Sequence, residues 1–200
     1  MPDHFYRPVE GHRLAHDPFN AIVAPRPIGW IGTRSAAGVR NLAPYSFFNA
    51  LSYTPPLVGF SSNGWKDSVR NADETGVFTW NLVTRVLAER MNETSTTDAV
   101  DELERAGLTG ADGTEVAAPR VVEAPVSFEC RTAQVVRLRG ADGTESDNWW
   151  CTGEVVGVHI DTDLLVDGVY RTELARPVVR GGGPSAYYEL GDRFDLVRPS

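Results

Sequence analysis

A group of hydroxyl side chains beside one lysine is the part of this sequence best suited to holding an anion. Ser61 and Ser62 follow a short apolar run, and Lys66 and Ser68 come shortly after them. Hydroxyl groups donate hydrogen bonds to phosphate oxygens and a lysine adds a point charge, so these residues predict a phosphate cradle. A solvated surface lysine explains Lys66 alone equally well. A Schiff base with pyridoxal phosphate ranks behind both, because a lysine that clamps phosphate is not free to attack an aldehyde.

A helix predicted over residues 67–74 would add backbone donors to this cradle. Asp67 and Ser68 can begin the helix and Gly76 can end it, and free N–H groups at a helix N-terminus attract anions. The motif is not a Walker loop, because the chain has no GxxxxGK[ST]. No GxGxxG follows a predicted strand either, so we do not expect a dinucleotide in a Rossmann fold.

Upstream, Ser35-Ala36-Ala37-Gly38 predicts a turn between two short strands, and the segment 41–48 follows it. Backbone N–H groups in such a turn can hold a phosphate or the carbonyls of a planar ring. Taken alone, an ordinary hairpin is the simpler interpretation of the turn. Phe47 and Phe48 have an equally good interpretation as core residues, since adjacent strand residues face opposite sides.

The composition is that of an ordinary globular protein, and we expect a single domain over residues 1–200. The chain is 42% apolar and 23% charged, and its net charge of −8 argues against a nucleic-acid groove or an anionic membrane surface. No basic stretch precedes an apolar core at the N-terminus, and no run of about 20 apolar residues could span a bilayer. We therefore expect a cytoplasmic location.

Neither the histidines nor the cysteines form a recognisable metal-ligand set, so we expect no metal. His12 and His16 lie four residues apart, but nearby prolines and a glycine make a rigid helix there doubtful. Cys130 and Cys151 are too few for a disulfide scaffold and match no CxxC spacing. We expect them to be reduced and buried, and they could face each other across a hairpin.

Hydrophobic periodicity predicts the elements that would position these residues. We expect short strands over 21–24, 27–33, 39–44, 57–60 and 77–82, further helices over 84–91 and 98–106, and a long hairpin of 126–138 with 149–160. The charges at Glu102, Glu104 and Arg105 are predicted to form a solvated helix face. Six or seven strands without regular intervening helices favour a closed antiparallel barrel over a parallel sheet.

Short motifs also follow one another along the chain in a specific order. They are Gly32-Thr33-Arg34-Ser35 with Gly38, Asn41-Leu42-Ala43-Pro44-Tyr45-Ser46-Phe47-Phe48, Thr54-Pro55-Pro56, Lys66-Asp67-Ser68 with Asn71, and Asn81. This ordered set resembles the flavin reductase-like, FMN-binding split-barrel family, in its flavoredoxin-like branch. The resemblance covers nearly the whole chain, from Asp17-Pro18-Phe19-Asn20 to the Tyr187-Tyr188 tail. It implies a mainly β fold with α elements, namely a split β-barrel (a Greek-key antiparallel barrel) with short flanking helices.

The resemblance also implies FMN as the cofactor, with the backbone of 43–46 along the isoalloxazine ring. The cofactor-binding residues that it implies are Thr33, Asn41, Leu42, Ala43, Pro44, Tyr45, Ser46, Ser61, Ser62, Lys66, Asp67, Ser68 and Asn81. His159 matches a family histidine close to the flavin or the nicotinamide and is the catalytic candidate, although a lone histidine is more often structural. Gly181 stands where the family usually has Leu, which leaves open whether Tyr187 or Tyr188 takes the family's tyrosine role.

The activity implied is hydride transfer from NAD(P)H to flavin, with electrons passed on to an unknown acceptor, in a homodimer. Two alternatives stay open at the level of sequence, because a shared fold does not fix activity. One is a flavoredoxin-like electron carrier reduced by a protein partner. The other is a flavin-binding module without turnover.

Overall fold

The computed structural model describes residues 1–199, with antiparallel strands as the dominant elements. The strands are β1 (Arg26–Pro27), β2 (Gly29–Arg34), β3 (Arg40–Tyr45), β4 (Phe48–Tyr53), β5 (Pro56–Asn63), β6 (Val77–Asn81), β7 (Gly110–Asp112), β8 (Pro119–Val121), β9 (Val126–Arg139), β10 (Glu145–Ile160), β11 (Leu165–Val166), β12 (Val169–Tyr170), β13 (Val178–Arg180) and β14 (Tyr187–Glu189). The helices are α1 (Phe19–Ile22), α2 (Asp67–Thr75), α3 (Ala88–Glu93), α4 (Glu102–Arg105) and α5 (Thr172–Ala175), and 3₁₀ turns cover Pro8–Glu10, Arg85–Leu87 and Thr162–Leu164.

Seven of the strands form one antiparallel sheet in the order β3-β2-β6-β9-β10-β5-β4. The prediction of an antiparallel β fold with short helices is therefore confirmed. Strands β3 and β5 also approach each other, and the rings of Tyr45 and Phe60 lie 4.8 Å apart between them. In three smaller sheets, β13 pairs with both β1 and β14, β7 pairs with β8, and β11 pairs with β12.

The long hairpin of β9 and β10 is present as predicted, and it extends beyond the predicted bounds on both sides of its turn. The expectation that the two cysteines face each other across it is wrong. Cys151 lies opposite Val135, and Cys130 lies opposite Val155. Arg139 pairs with Glu145, so the hairpin turns about residue 142 and not about the midpoint of the cysteines between residues 140 and 141, and register shifts displace the pairing further. Both thiols are free and buried, as predicted.

The sheet has a hydrophobic core on each face, because adjacent residues of a strand point to opposite sides. Trp30 packs with Leu42, Met91 and Leu103 beneath α3 and α4. Its neighbour Ile31 packs on the other face, with the core residues Phe60, Val69, Phe78, Cys130 and Cys151 inside the barrel and beneath α2. Strand β2 thus contributes to both cores, and it lies between β6 and the edge strand β3.

The helices differ from their predicted lengths. Helix α2 begins at Asp67 and ends before Gly76, whose φ of +72° is the left-handed conformation that glycine adopts easily. The helix predicted over 98–106 is only α4, because the Asp101 side chain accepts hydrogen bonds from the N–H groups of Leu103 and Glu104 and starts the helix there. None of the helices among residues 1–199 has the length and apolar character needed to cross a bilayer.

Candidate functional site

A cleft of about 230 Å³ lies between strand β3, the start of α2 and the segment 96–98. It brings together residues that are far apart in sequence. Its predicted cofactor residues are Asn41, Ala43, Tyr45, Lys66, Asp67 and Ser68, and its other lining residues are Thr96, Thr97, Asp98 and Glu102. The strand supplies every second side chain to the cleft, which is the period of a β-strand.

A network of amide and hydroxyl groups fixes one wall of the cleft. Asn41 Nδ2 donates to Thr33 Oγ1 at 3.2 Å and to Ser68 Oγ at 2.9 Å, and Asn71 Nδ2 donates to the same Thr33 oxygen at 3.2 Å. All four residues are buried. Because Ser68 Oγ accepts the hydrogen bond from Asn41, its own hydrogen is available as a donor. Asn71 Oδ1 is a buried acceptor without a partner among residues 1–199.

The start of helix α2 contributes unpaired backbone donors to the same cleft. Lys66 is the N-cap residue and makes no side-chain cap, since an ammonium group cannot accept a hydrogen bond. The first N–H groups of the helix therefore have no side-chain acceptor from the cap, and the helix dipole favours an anion at this end. Lys66 is also the only lysine in the chain.

Two of the three acidic residues that line the cleft pair with arginines outside its lining. Each has a partner of its own: Asp67 with Arg70 at 2.5 Å, Asp98 with Arg105 at 2.6 Å, and Glu102 with the Leu42 N–H at 3.1 Å. Lys66, in contrast, forms no ion pair within the described part of the chain. The donor set consequently suits an anionic group such as a phosphate.

Tyr45 stands in the cleft as a neutral phenol. Burial raises the pKa of Tyr45, and hydrogen bonding to Ser68 and Ser62 offsets this only in part. At neutral pH the phenol keeps its proton and can donate one hydrogen bond. Ser62 itself is fully buried and donates to the Gly64 carbonyl at 2.9 Å.

Glu102 is a residue of the cleft that the sequence did not reveal. The expectation that it lies on a solvated face is wrong, because its exposure is only 7% and its carboxylate accepts the N–H of Leu42. Burial raises the pKa of Glu102, and the hydrogen bond from Leu42 opposes that shift. No local signal marks this contact, since the two residues are 60 positions apart.

Several residues predicted to bind the cofactor lie outside the lining of the cleft. Asn81 is fully buried on β6, where Nδ2 donates to the Trp30 carbonyl and Oδ1 accepts from Val121 N and Ser127 Oγ at 2.9 Å. Through these contacts the Asn81 side chain connects β8 to the sheet. The others outside the lining are Thr33 in the supporting network, Leu42 in the core beneath α3 and α4, and Pro44, Ser46, Ser61 and Ser62.

His159 also lies away from the cleft, on the long hairpin. Its Nε2 is 2.5 Å from Glu129 Oε1, and the Glu129 carboxylate accepts the N–H groups of Thr114, Glu115 and Val116. Burial by itself would raise the pKa of Glu129, but the hydrogen bonds from His159 and the three N–H groups outweigh it and lower this pKa to about 2. The geometry favours the structural interpretation of His159.

Tyr187 and Tyr188 line a third region, a cavity against α3, and neither lines the cleft of Asn41 and Ser68. Arg180 holds the turn before them, with its guanidinium carbon 4.9 Å from the Tyr187 ring centroid and hydrogen bonds to the carbonyls of Gly183 and Ala186. No group of three metal-ligating side chains occurs among residues 1–199.

Comparisons with known proteins give consistent results over almost the whole chain. The model of the flavin reductase-like domain family matches residues 23–176. An uncharacterized protein of Halalkalibacterium halodurans is 36% identical over 185 residues, which are 89% of this chain and 88% of that protein.

Two solved structures share the fold at appreciable sequence identity. Nitrilotriacetate monooxygenase component B from Bacillus cereus superposes with a TM-score of 0.81 at 31% identity and covers 89% of this chain and 91% of its own. A Shewanella frigidimarina protein assigned as a flavin reductase with a split barrel domain has a TM-score of 0.79 at 25% identity, covering 91% and 90%.

Proposed function

The chain belongs to the flavin reductase-like family, and from that premise we propose that it is an FMN-binding oxidoreductase. In this proposal it takes hydride from NAD(P)H and passes electrons on to a further acceptor. The observation that carries the proposal is the convergence of Asn41, Ser68 and the start of α2 in one cleft. These groups supply the donors that a flavin phosphate needs.

The residues that would hold the phosphate are Lys66, Ser68 and the first N–H groups of α2. Lys66 adds a positive charge, and the Ser68 hydroxyl is oriented by the amide of Asn41. When bound, the flavin supplies the hydride and electron chemistry, and the protein supplies orientation and electrostatics. Tyr45 and Ala43 on β3 would line the remainder of the flavin site, where the neutral phenol donates a hydrogen bond and adds no negative charge.

Glu102 would keep the β3 side of the site in one position. Its carboxylate is bonded to the Leu42 N–H, between Asn41 and Ala43, and is mostly shielded from water. The hydrogen bond holds the backbone of β3 against α4 at the point where Asn41 and Ala43 enter the cleft. We assign it a positioning role.

We propose that the electrons pass to a separate protein or small molecule. This is supported by the similarity to a protein that is itself named as one component of a monooxygenase. The proposal includes a cytoplasmic location, where NAD(P)H is available.

The proposal also includes a homodimer. An apolar groove of about 340 Å³ runs between β4, β5 and β10 and is lined by residues such as Ala50, Pro56 and Val156. Beside it on β4, the Tyr53 side chain is fully solvent-exposed at 96%. A Tyr53→Asp variant should shift the mass measured by light scattering from dimer to monomer. An equal shift in a Thr144→Asp control, at the hairpin tip, would argue against this face.

The absorbance spectrum of the purified protein tests the central proposal. The protein should show the bands of oxidised flavin between roughly 300 and 550 nm, and these should bleach anaerobically with NADH or NADPH. Bleaching with dithionite alone would instead support an electron carrier or a flavin-binding module. A colourless protein that FMN does not reconstitute would overturn the flavin site itself.

A further inference from the structure

A second cavity, of about 460 Å³, lies where β8 and the end of β10 meet. Its polar lining residues are Arg120, Glu123, His159 and Asp161, and Val122 and Ile160 add apolar surface. None of these residues lines the cleft of Asn41 and Ser68. Whatever binds in this cavity is therefore held independently of the proposed flavin site.

The two acidic residues of this cavity already have partners. Both carboxylate oxygens of Glu123 accept the N–H of Thr109, at 3.0 and 3.1 Å. Asp161 Oδ1 accepts the N–H of Asp163 at 3.0 Å and starts the 3₁₀ turn that follows. Neither carboxylate contacts Arg120.

Arg120 is the group in this cavity that lacks a partner. It forms no ion pair or side-chain hydrogen bond within residues 1–199, and its Nε is buried without an acceptor. The Nε lies below the surface, so the terminal Nη atoms, which also have no hydrogen-bond partner among residues 1–199, are the donors that a ligand in the cavity could reach. His159 lies in the same cavity, and its Nε2 is occupied by Glu129, which leaves Nδ1 as the free ring nitrogen.

We propose that this cavity binds a small organic carboxylate, with Arg120 as the residue that holds the anionic group. A guanidinium fork matches the planar carboxylate and can donate two parallel hydrogen bonds. Val122 and Ile160 are 46% and 39% exposed beside it, which gives an apolar body a surface to contact. A dianionic phosphate fits less well than a carboxylate, because Glu123 and Asp161 also line the cavity and would repel two ligand charges more strongly than one.

Isothermal titration calorimetry of the purified protein with benzoate tests this inference. Benzoate should bind, whereas acetate, which lacks the apolar body, and benzamide, which lacks the charge, should bind at least about tenfold more weakly. Arg120→Gln should weaken benzoate binding by a similar factor and leave the affinity for FMN unchanged. Arg131→Gln is the matched control, since Arg131 is an exposed arginine on β9.

Nuclear magnetic resonance of the unaltered protein gives a readout that does not depend on the folding of a variant. Benzoate should shift the amide resonances of residues 120–125 and 158–161. Shifts elsewhere only, equal benzoate affinity in Arg120→Gln, or tighter binding of inorganic phosphate than of benzoate would each overturn the carboxylate site. If the protein bound no flavin but passed these tests, the proposed flavin site would be wrong and the carboxylate site would still be supported.

Discussion

His159 Nε2 and Glu129 Oε1 lie 2.5 Å apart on neighbouring strands of the long hairpin, and the Glu129 side chain has no solvent exposure. The same carboxylate accepts three backbone N–H groups of the segment 114–116. One buried charge thus ties a loop, two strands and an imidazole together. Such a charge is stabilising only while it remains ionised and fully hydrogen-bonded.

Acid should therefore destabilise the protein through Glu129. Its pKa falls from an ordinary 4.5 to about 2 on folding, so its contribution is present above pH 4.5 and is lost as the pH falls toward 2. That contribution is roughly 3 kcal/mol. Urea unfolding at several pH values should show this loss, and Glu129→Gln should be less stable at neutral pH and less sensitive to acid.

His159→Gln provides the matched comparison, because it keeps the carboxylate and its three N–H partners. Its stability at neutral pH should lie between those of the unaltered protein and Glu129→Gln. If the unaltered protein and Glu129→Gln lost stability in parallel between pH 4.5 and 2, the acid sensitivity would come from other carboxylates.

Lys66 should be protected from chemical modification when FMN is bound. As the only lysine, it is the single side-chain target of an amine acylating reagent, and its ammonium group is exposed in the described structure. Mass spectrometry should show slower acylation with FMN present, with the N-terminal amine as an internal control. Equal rates with and without FMN would remove Lys66 from the site.

Replacing Lys66 should also weaken FMN binding. Loss of one charge-assisted contact in Lys66→Ala is expected to cost about 1–3 kcal/mol of binding free energy. Arg139→Ala, at the tip of the long hairpin, removes a charge of the same sign far from the cleft in sequence and serves as control. Fluorescence titration with FMN measures both, and an unchanged Kd for Lys66→Ala would contradict the phosphate assignment.

The two thiols should be inert in the folded protein. Burial raises the pKa of Cys151 to about 12 and that of Cys130 further still, so almost no thiolate is present near neutral pH. A disulfide reagent such as DTNB should report no reactive thiol in the native protein and both thiols in denaturant. Thr144→Cys, on the exposed hairpin turn, should react at once, and fast reaction of the unaltered protein would contradict this prediction.

Gly32 should not tolerate a side chain. A Cβ added there would overlap the backbone carbonyl of Pro119 and approach Thr79 Oγ1, and a backbone atom cannot move aside cheaply. Gly32→Ala should lower the free energy of unfolding by about 1–3 kcal/mol, as overpacking does. Gly191→Ala, where a Cβ meets nothing within 4 Å, is the control. Similar denaturation midpoints for both variants would show that β8 can shift.

The features that the sequence predicted correctly depend on local signals. The Ser35–Gly38 turn is closed by hydrogen bonds between Ser35 and Val39 and between Gly38 and Ser35, as the small residues indicated. Helix α2 has the predicted start and the predicted glycine end. The cradle of Lys66 and Ser68 could be proposed for the same reason, since both residues lie at that helix start.

The features that the sequence did not predict depend on contacts between distant segments. Glu102 has the pattern of a surface charge on its own helix, and only the packing of α4 on β3 buries it. Asn81 has the pattern of a polar residue at a strand end, but its side-chain oxygen accepts the N–H of Val121 on β8, which is distant in sequence. Whether the two cysteines lie opposite each other depends on the register of the hairpin, and irregularities along β9 and β10 change that register.

Strand β3 is at the margin of the seven-stranded sheet, so its outer backbone groups could in principle recruit a strand from another molecule. Two features prevent this. The Leu42 N–H is already bonded to Glu102, and Pro44 has no N–H to offer. The contact that positions one side of the cleft thus also protects the protein against edge-to-edge aggregation.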